Sequence, residues 1–327
     1  MIVEATGLGK SYGRTRAVDD LSFVVEPGVV TGFLGPNGAG KSTTMRLMLG
    51  LDRGDGRTTF DRRPLVEHRH PPRVVGAHLD AKVFQPNRRA RDHLRMLAAA
   101  ADVPDRRVDE VIEQVGLESV ARARPKTYSL GMAQRLGLAG AILAEPGVLV
   151  LDEPANGLDP QSIHWLREFL RYYAHAGRAV LVSSHLLSEM SLLADRLVVI
   201  ARGRLVADES VADFVARSTR NDVLVRTPRR DDLRAALAAA GIPATDDGPD
   251  GLAVTGASTD RVGALAYDAG VPVLELTART ASLEQAFLEI TGGTEQFRTS
   301  EQFRTSEQFR TSEQVRSDSP DDRGEPS

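Results

Sequence analysis

Residues 35 to 43 read Gly-Pro-Asn-Gly-Ala-Gly-Lys-Ser-Thr. Glycines at 35, 38 and 40 let the backbone fold tightly enough to aim successive N–H groups at one anion. A helix-forming stretch opens at Lys41, and its positive end points the same way. Lys41 is expected to reach the β- and γ-phosphate oxygens of a nucleotide, and the Ser42 hydroxyl to coordinate Mg2+. Pro36, Asn37, Ala39 and Thr43 complete the cradle. The plainer reading is a glycine-rich turn with a chance lysine. It leaves unexplained the apolar run over residues 29–34 before the loop and the helix after it, the context that this pattern requires. Lysine is also rare here: Lys10, Lys41, Lys82 and Lys126 are the only ones among 41 lysines and arginines. The loop by itself indicates a nucleotide without separating one kind of ATPase or GTPase from another.

A second cluster follows at Val148-Leu149-Val150-Leu151-Asp152-Glu153-Pro154. Four apolar residues in a row suit a strand buried on both faces. Such a strand delivers Asp152 to its exposed end, where it can hold Mg2+ through water. Glu153 then stands where a general base would polarise an attacking water. The bland alternative is two acidic residues capping a strand end.

Three further segments carry a resemblance. Tyr128-Ser129-Leu130-Gly131-Met132-Ala133-Gln134-Arg135 lies just ahead of the second cluster. A hydroxyl and a glycine N–H at a helix start make an anion site, or equally an ordinary cap. The segment resembles the signature motif of ABC proteins, with Leu130 and Met132 where glycine and glutamine are usual. The resemblance implies that Ser129 and Gly131 contact the γ-phosphate bound to an opposite subunit. Asn156-Gly157-Leu158-Asp159-Pro160 is similar to the ABC loop that runs along the dimer interface, which brings Asp159 near nucleotide. Val182-Ser183-Ser184-His185 matches the switch histidine, so His185 is implied to contact the γ-phosphate. Tyr12, before Gly13, resembles the aromatic that stacks on adenine.

One family element departs from its pattern. Asp80 stands where ABC proteins usually carry a glutamine, with Asp92-His93-Leu94 keeping the register of the helix start that follows. Asp80 is expected to contact Mg2+ or its water; the alternatives are that it only faces solvent, or that Gln85 substitutes. The segments around Tyr128 and His185, and the closing Ser282-Leu283-Glu284-Gln285-Ala286-Phe287-Leu288, are similar to ABC-2 type exporter ATPases of the bacitracin or daunorubicin kind.

These residues need a scaffold, and the pattern supplies one. Short apolar runs alternate with helix-length amphipathic stretches up to about residue 217, giving an α/β protein. The ABC resemblance implies a P-loop ATPase with a RecA-like parallel sheet, an N-terminal β subdomain and a helical subdomain, the last read at about 81–140. Residues 179–182 and 197–200 are expected as further buried strands. From 222 to 292 the pattern restarts as β-α-β-α-β, an accessory α+β domain with its last strand placed at 271–274. Residues 293–327 hold the repeated Glu-Gln-Phe-Arg-Thr-Ser unit. On a helix a six-residue step turns about 240°, so its phenylalanines form no stripe. Disorder is the expectation for this tail; a segment ordering on a partner, or a sequence expansion without a role, are the other readings.

Composition sets outer bounds. The net charge is −4, which does not indicate a nucleic-acid surface, and there is no cysteine for disulfides or thiolate metal sites. No secretion signal and no apolar run of about eighteen residues is visible, so the expectation is a cytoplasmic chain. The resemblance implies ATP and Mg2+ as cofactors and a homodimer or heterodimer sandwiching ATP head to tail. It also implies a separate polytopic ABC-2 permease above the dimer, exporting an antibiotic, peptide or other drug-like cargo from the cytoplasmic face of the plasma membrane. The competing function is a soluble ABC ATPase acting on ribosomes or DNA. Such proteins generally carry two ATPase domains or a long coiled coil, and neither is visible. A P-loop kinase or GTPase would leave the signature and His185 unexplained.

Overall fold

The computed structural model describes residues 1–80, 84–218 and 221–290. Its centre is a six-stranded sheet of β3 (Val30–Leu34), β5 (Val75–His78), β6 (Val148–Leu151), β7 (Ala179–Ser184), β8 (Arg196–Ala201) and β9 (Arg204–Ser210). The order is β5-β6-β7-β3-β8-β9, parallel except for β9 at the edge. Every residue of β3, β6 and β7 is buried, as continuous apolar runs require when both faces of a parallel sheet are covered.

Successive side chains of these strands feed two different cores. Leu149, Leu151, Val180 and Val182 enter one; Val148, Val150, Ala179 and Leu181 enter the other. The second core is closed by an antiparallel sheet in the order β2-β1-β4, formed by β1 (Val3–Tyr12), β2 (Thr15–Val25) and β4 (Asp55–Phe60). Helix α1 (Lys41–Met48) packs there through Met45 and Met48.

Between β4 and β6 come α2 (Pro71–Val74), β5, α3 (Ala90–Ala100), α4 (Arg106–Gln114) and α5 (Leu130–Ile142). Beyond β6, α6 (Pro160–His175) and α7 (Leu187–Leu193) cover the first core. Helix α8 (Val211–Ala216) adds Phe214 to it.

The C-terminal segment forms β10 (Asp222–Arg226), α9 (Arg230–Ala239), β11 (Ala244–Asp246), β12 (Gly251–Thr255), α10 (Thr259–Asp268) and β13 (Glu275–Arg279). Its sheet order is β11-β12-β10-β13, antiparallel throughout, which makes a split β-α-β-β-α-β unit with its own small core. Sequence reading misses β11, an edge strand too short to show alternation. It also sets the last strand too early. Pro272 has no N–H to give a ladder, Val271 turns into the small core, and pairing starts only where the Leu274 N–H meets Arg226 O at 2.8 Å. Helix α11 (Leu283–Ile290) then leaves this unit and buries Leu283, Ala286 and Phe287 in the first core. Its start is a reciprocal cap: Ser282 Oγ accepts from Gln285 N and Gln285 Oε1 from Ser282 N. The hexapeptide repeat, expected to be disordered, lies outside the described residues.

Candidate nucleotide site

Strand order brings the chemistry together. In the parallel register Leu34 of β3 pairs with Ser184 of β7, and Val182 of β7 with Leu151 of β6. The C-terminal ends of three neighbouring strands therefore release Gly35, Asp152 and His185 on one rim, where ligands of open α/β sheets bind.

The loop from Gly35 to Gly40 has no room for larger residues at two points. A Cβ on Gly35 would lie 2.6 Å from Ile200 O, and one on Gly40, whose φ is 107°, would lie 2.4 Å from Ala17 O. Gly40 opens α1 with no side-chain cap, so the first amides of that helix have no acceptor within it. Asn37 and Gly38 are exposed, Pro36 and Ala39 buried, Ser42 exposed and Thr43 partly so. Lys41 is buried, its Nζ donating to Gly35 O at 2.7 Å and lying 3.3 Å from Glu153 Oε1.

Glu153 is the hub. His185 Nδ1 lies 2.7 Å from its Oε2. Burial would raise its pKa, but the His185 hydrogen bond and the Lys41 charge outweigh that and hold it below the ordinary carboxylate value. Its backbone sits at φ 49°, a conformation that side chains other than glycine rarely adopt. Ser183, fully buried, secures it: the hydroxyl accepts the Glu153 N–H at 2.8 Å and donates to Asp152 Oδ1 at 2.5 Å.

Sequence reasoning quotes Ser183 only as part of the run before His185 and gives it no role. The signal was a pair of serines, Ser183 and Ser184, ending an otherwise apolar strand; that Ser183 meets Asp152 follows from a register that only the sheet reveals.

The other expected residues lie apart from this hub. Tyr12 is half exposed, its hydroxyl 3.2 Å from Asp52 Oδ2 and Lys10 Nζ 5.2 Å from the ring centre. Ser129 caps α5, its Oγ accepting from Met132 N at 3.2 Å. A Cβ on Gly131 would face Leu158 and Ser162, not the phosphate loop. Asp159 caps α6, accepting from Ser162 N at 2.8 Å, and these bonds hold its carboxyl below the usual value. Asp80 is exposed just past β5, and Gln85 is exposed as well. Two buried groups have no role assigned from the sequence: His78, which ends β5, has Nε2 2.5 Å from Gln134 Oε1 of α5.

The metal question turns on the donors present. Among the described residues no three His, Cys, Asp or Glu side chains gather into a cage. A carboxylate (Asp152) and a hydroxyl (Ser42) are hard oxygen donors, a set that fits Mg2+ carrying waters and substrate phosphates rather than a closed protein site.

Comparison with known proteins agrees with this architecture. Residues 18–156 match the ABC transporter family, and residues 221–284 match a domain of unknown function, DUF8746. The chain is 35% identical to the uncharacterised ABC transporter ATP-binding protein YhcH of Bacillus subtilis over 309 residues, 90% of this chain and 97% of that one. It is 33% identical to the bacitracin transport ATP-binding protein BcrA of Bacillus licheniformis, over 89% of this chain and 98% of that one. A solved ATP-binding subunit of an ABC transporter superposes with a TM-score of 0.61 at 28% identity, covering 66% of this chain and 93% of that one.

The chain belongs to the ABC transporter ATP-binding proteins. It is the ATP-binding and ATP-hydrolysing subunit of such a transporter.

Proposed function

We propose that this subunit powers export through a separate polytopic ABC-2 type permease, docked on the cytoplasmic face of the plasma membrane. Two copies, or one copy and a second ATPase subunit, would close head to tail over two ATP molecules. The observation that carries the reading is the meeting of Lys41, Glu153 and His185 on one rim of the sheet. Among the described residues no helix is long and apolar enough to cross a membrane, and the proposed passage for cargo lies in the separate permease. The bacitracin and lantibiotic transport proteins among the relatives support an antibiotic, peptide or other drug-like cargo.

In this reading Gly35, Asn37, Gly38, Ala39, Gly40 and Thr43 cradle the phosphates with backbone amides, and Pro36, which has no N–H to give, shapes the loop. Lys41 leaves Glu153 and Gly35 O for the β- and γ-phosphates. Tyr12 stacks on adenine. Ser42, Asp152 and Asp80 would hold Mg2+, which supplies charge neutralisation on the phosphates when bound. Glu153, ionised and freed of Lys41, takes a proton from the attacking water, while His185 keeps its carboxylate oriented and reaches the γ-phosphate. Ser129 and Gly131 close on ATP held by the opposite subunit, with Asp159 alongside. We divide the chain into an ABC domain at 1–217, its helical subdomain at about 81–140, and an accessory domain at 222–292. The separate core of the C-terminal sheet supports that division as far as β13, while α11 packs into the first core.

One preparation tests this function. The full chain and Glu153→Gln are purified from detergent-solubilised native membranes, and both the co-purifying proteins and phosphate release are measured. A polytopic membrane protein in near-equal amount is expected. Glu153→Gln should bind ATP yet hydrolyse it on the order of 10²–10⁴-fold more slowly. Ribosomal or DNA-repair proteins without a membrane protein would move the function to the soluble ATPases. Hydrolysis at the parent rate would remove Glu153 as the base.

A further inference from the structure

His78 joins three parts of the molecule that the function needs to act together. Its backbone O accepts the Asp152 N–H at 2.9 Å, so it is tied to the proposed metal end of β6. Its imidazole is buried and bonded to Gln134, one turn into α5 past Gly131. One turn further on, Gly137 leaves the space that the ring fills: a Cβ there would lie 2.1 Å from it. The ring is thus keyed into the helix whose start carries Ser129. That start is itself seated on the neighbouring loop, for a Cβ on Gly157 would strike Leu130.

The joint is not fully packed. A cavity of about 10 Å³, room for at most one water, lies against His78, Gln134, Pro154 and Leu158. An apolar pair could fill the same place, but it would carry no direction. A buried hydrogen bond fixes the rotation of α5 about its axis relative to β5 and β6, because breaking it strands two polar groups away from water.

We propose that His78 and Gln134 are positioning residues that couple the two nucleotide sites. Nucleotide at Asp152 and Asp80 sets β5 and β6. The His78–Gln134 bond passes that setting to α5, which presents Ser129 and Gly131 to the nucleotide of the other subunit. This inference rests on the head-to-tail dimer proposed above.

The test uses the full chain with His78→Leu, Gln134→Leu, both together, and Gln134→Glu, which keeps an acceptor for the ring. Melting temperature, ATP affinity, kcat and ATP-dependent dimerisation are measured, the last in a Glu153→Gln background. Each leucine variant should keep ATP affinity within about twofold and lose roughly tenfold in kcat, the scale of one hydrogen bond. It should also shift the dimer toward monomer. The double variant should be no worse than either single one, and Gln134→Glu should restore kcat to within about twofold. Losses that multiply in the double variant, or a leucine variant with lowered melting temperature and unchanged kcat and dimerisation, would overturn the coupling. If a leucine variant does not fold, Gln134→Glu and Gln134→Met decide: only the first should keep kcat. Glu153→Gln run in parallel separates the two ideas. If it hydrolyses ATP at the parent rate, the catalytic assignment fails; if it is slow while the pair variants are normal, only the coupling fails.

Discussion

At the scale of single residues, the site is organised by the hydroxyl of the buried Ser183. Glu153 occupies a left-handed backbone conformation whose cost is on the order of 1 kcal/mol. It persists because Ser183 Oγ receives its N–H while donating to Asp152. Ser183→Ala strands the part-buried Glu153 N–H and an Asp152 carboxylate oxygen at once, a loss of about 1–3 kcal/mol. The expected result in steady-state kinetics is a kcat lowered by roughly 10–100-fold with ATP affinity little changed. Unchanged kcat would mean that the strand ends hold Glu153 without the serine.

At the scale of elements, β5 and α5 approach so closely that glycine is required between them. A Cβ on Gly76 would lie 1.9 Å from Ala141 O, a backbone atom with no freedom to move aside. Gly76→Ala must therefore push the helix from the sheet edge, and overpacking of this kind costs about 1–3 kcal/mol. A thermal melt should show a clear drop in melting temperature, with hydrolysis falling too because the start of α5 carries Ser129 and Gly131, proposed above to close on the opposite subunit's ATP. A melt equal to the parent's would show that α5 can shift without loss. The hinge-like crowding explains why Gly76 and Gly137 were silent in the sequence: each is demanded by an element more than fifty positions away.

At the scale of the whole molecule, the chain closes on itself through α11, which returns from the C-terminal sheet to bury Phe287 in the first core. The same interior holds two imidazoles. Burial pulls His78 below its ordinary value of 6.5, against the opposing pull of Gln134, Asp80 and Asp152. Burial does the same to His93, with Arg88 adding to it. Unfolded, both take up a proton near 6.5; folded, they do so only at lower pH. Between those values the unfolded state binds more protons, so stability is full above about pH 6.5 and falls as pH drops. Melting temperature should decline from about pH 7.5 to about pH 5.5, and His93→Leu should flatten that decline. A melt independent of pH over this range would contradict it.

The phosphate loop, the Asp152-Glu153 pair and the α/β alternation were legible because each depends on local spacing: glycines a few positions apart, or four apolar residues in a row. The C-terminal strands were read less well. β11 is too short for a pattern, and β13 begins only after a proline that local composition had placed inside the strand. What the chain alone could not show was which strand ends lie side by side. The order β6-β7-β3 and its register bring Glu153, Ser183, His185 and Lys41 to one rim, and they set His78 against Gln134. Such contacts join residues far apart in the chain, and pairing and packing select them only after the two cores have closed.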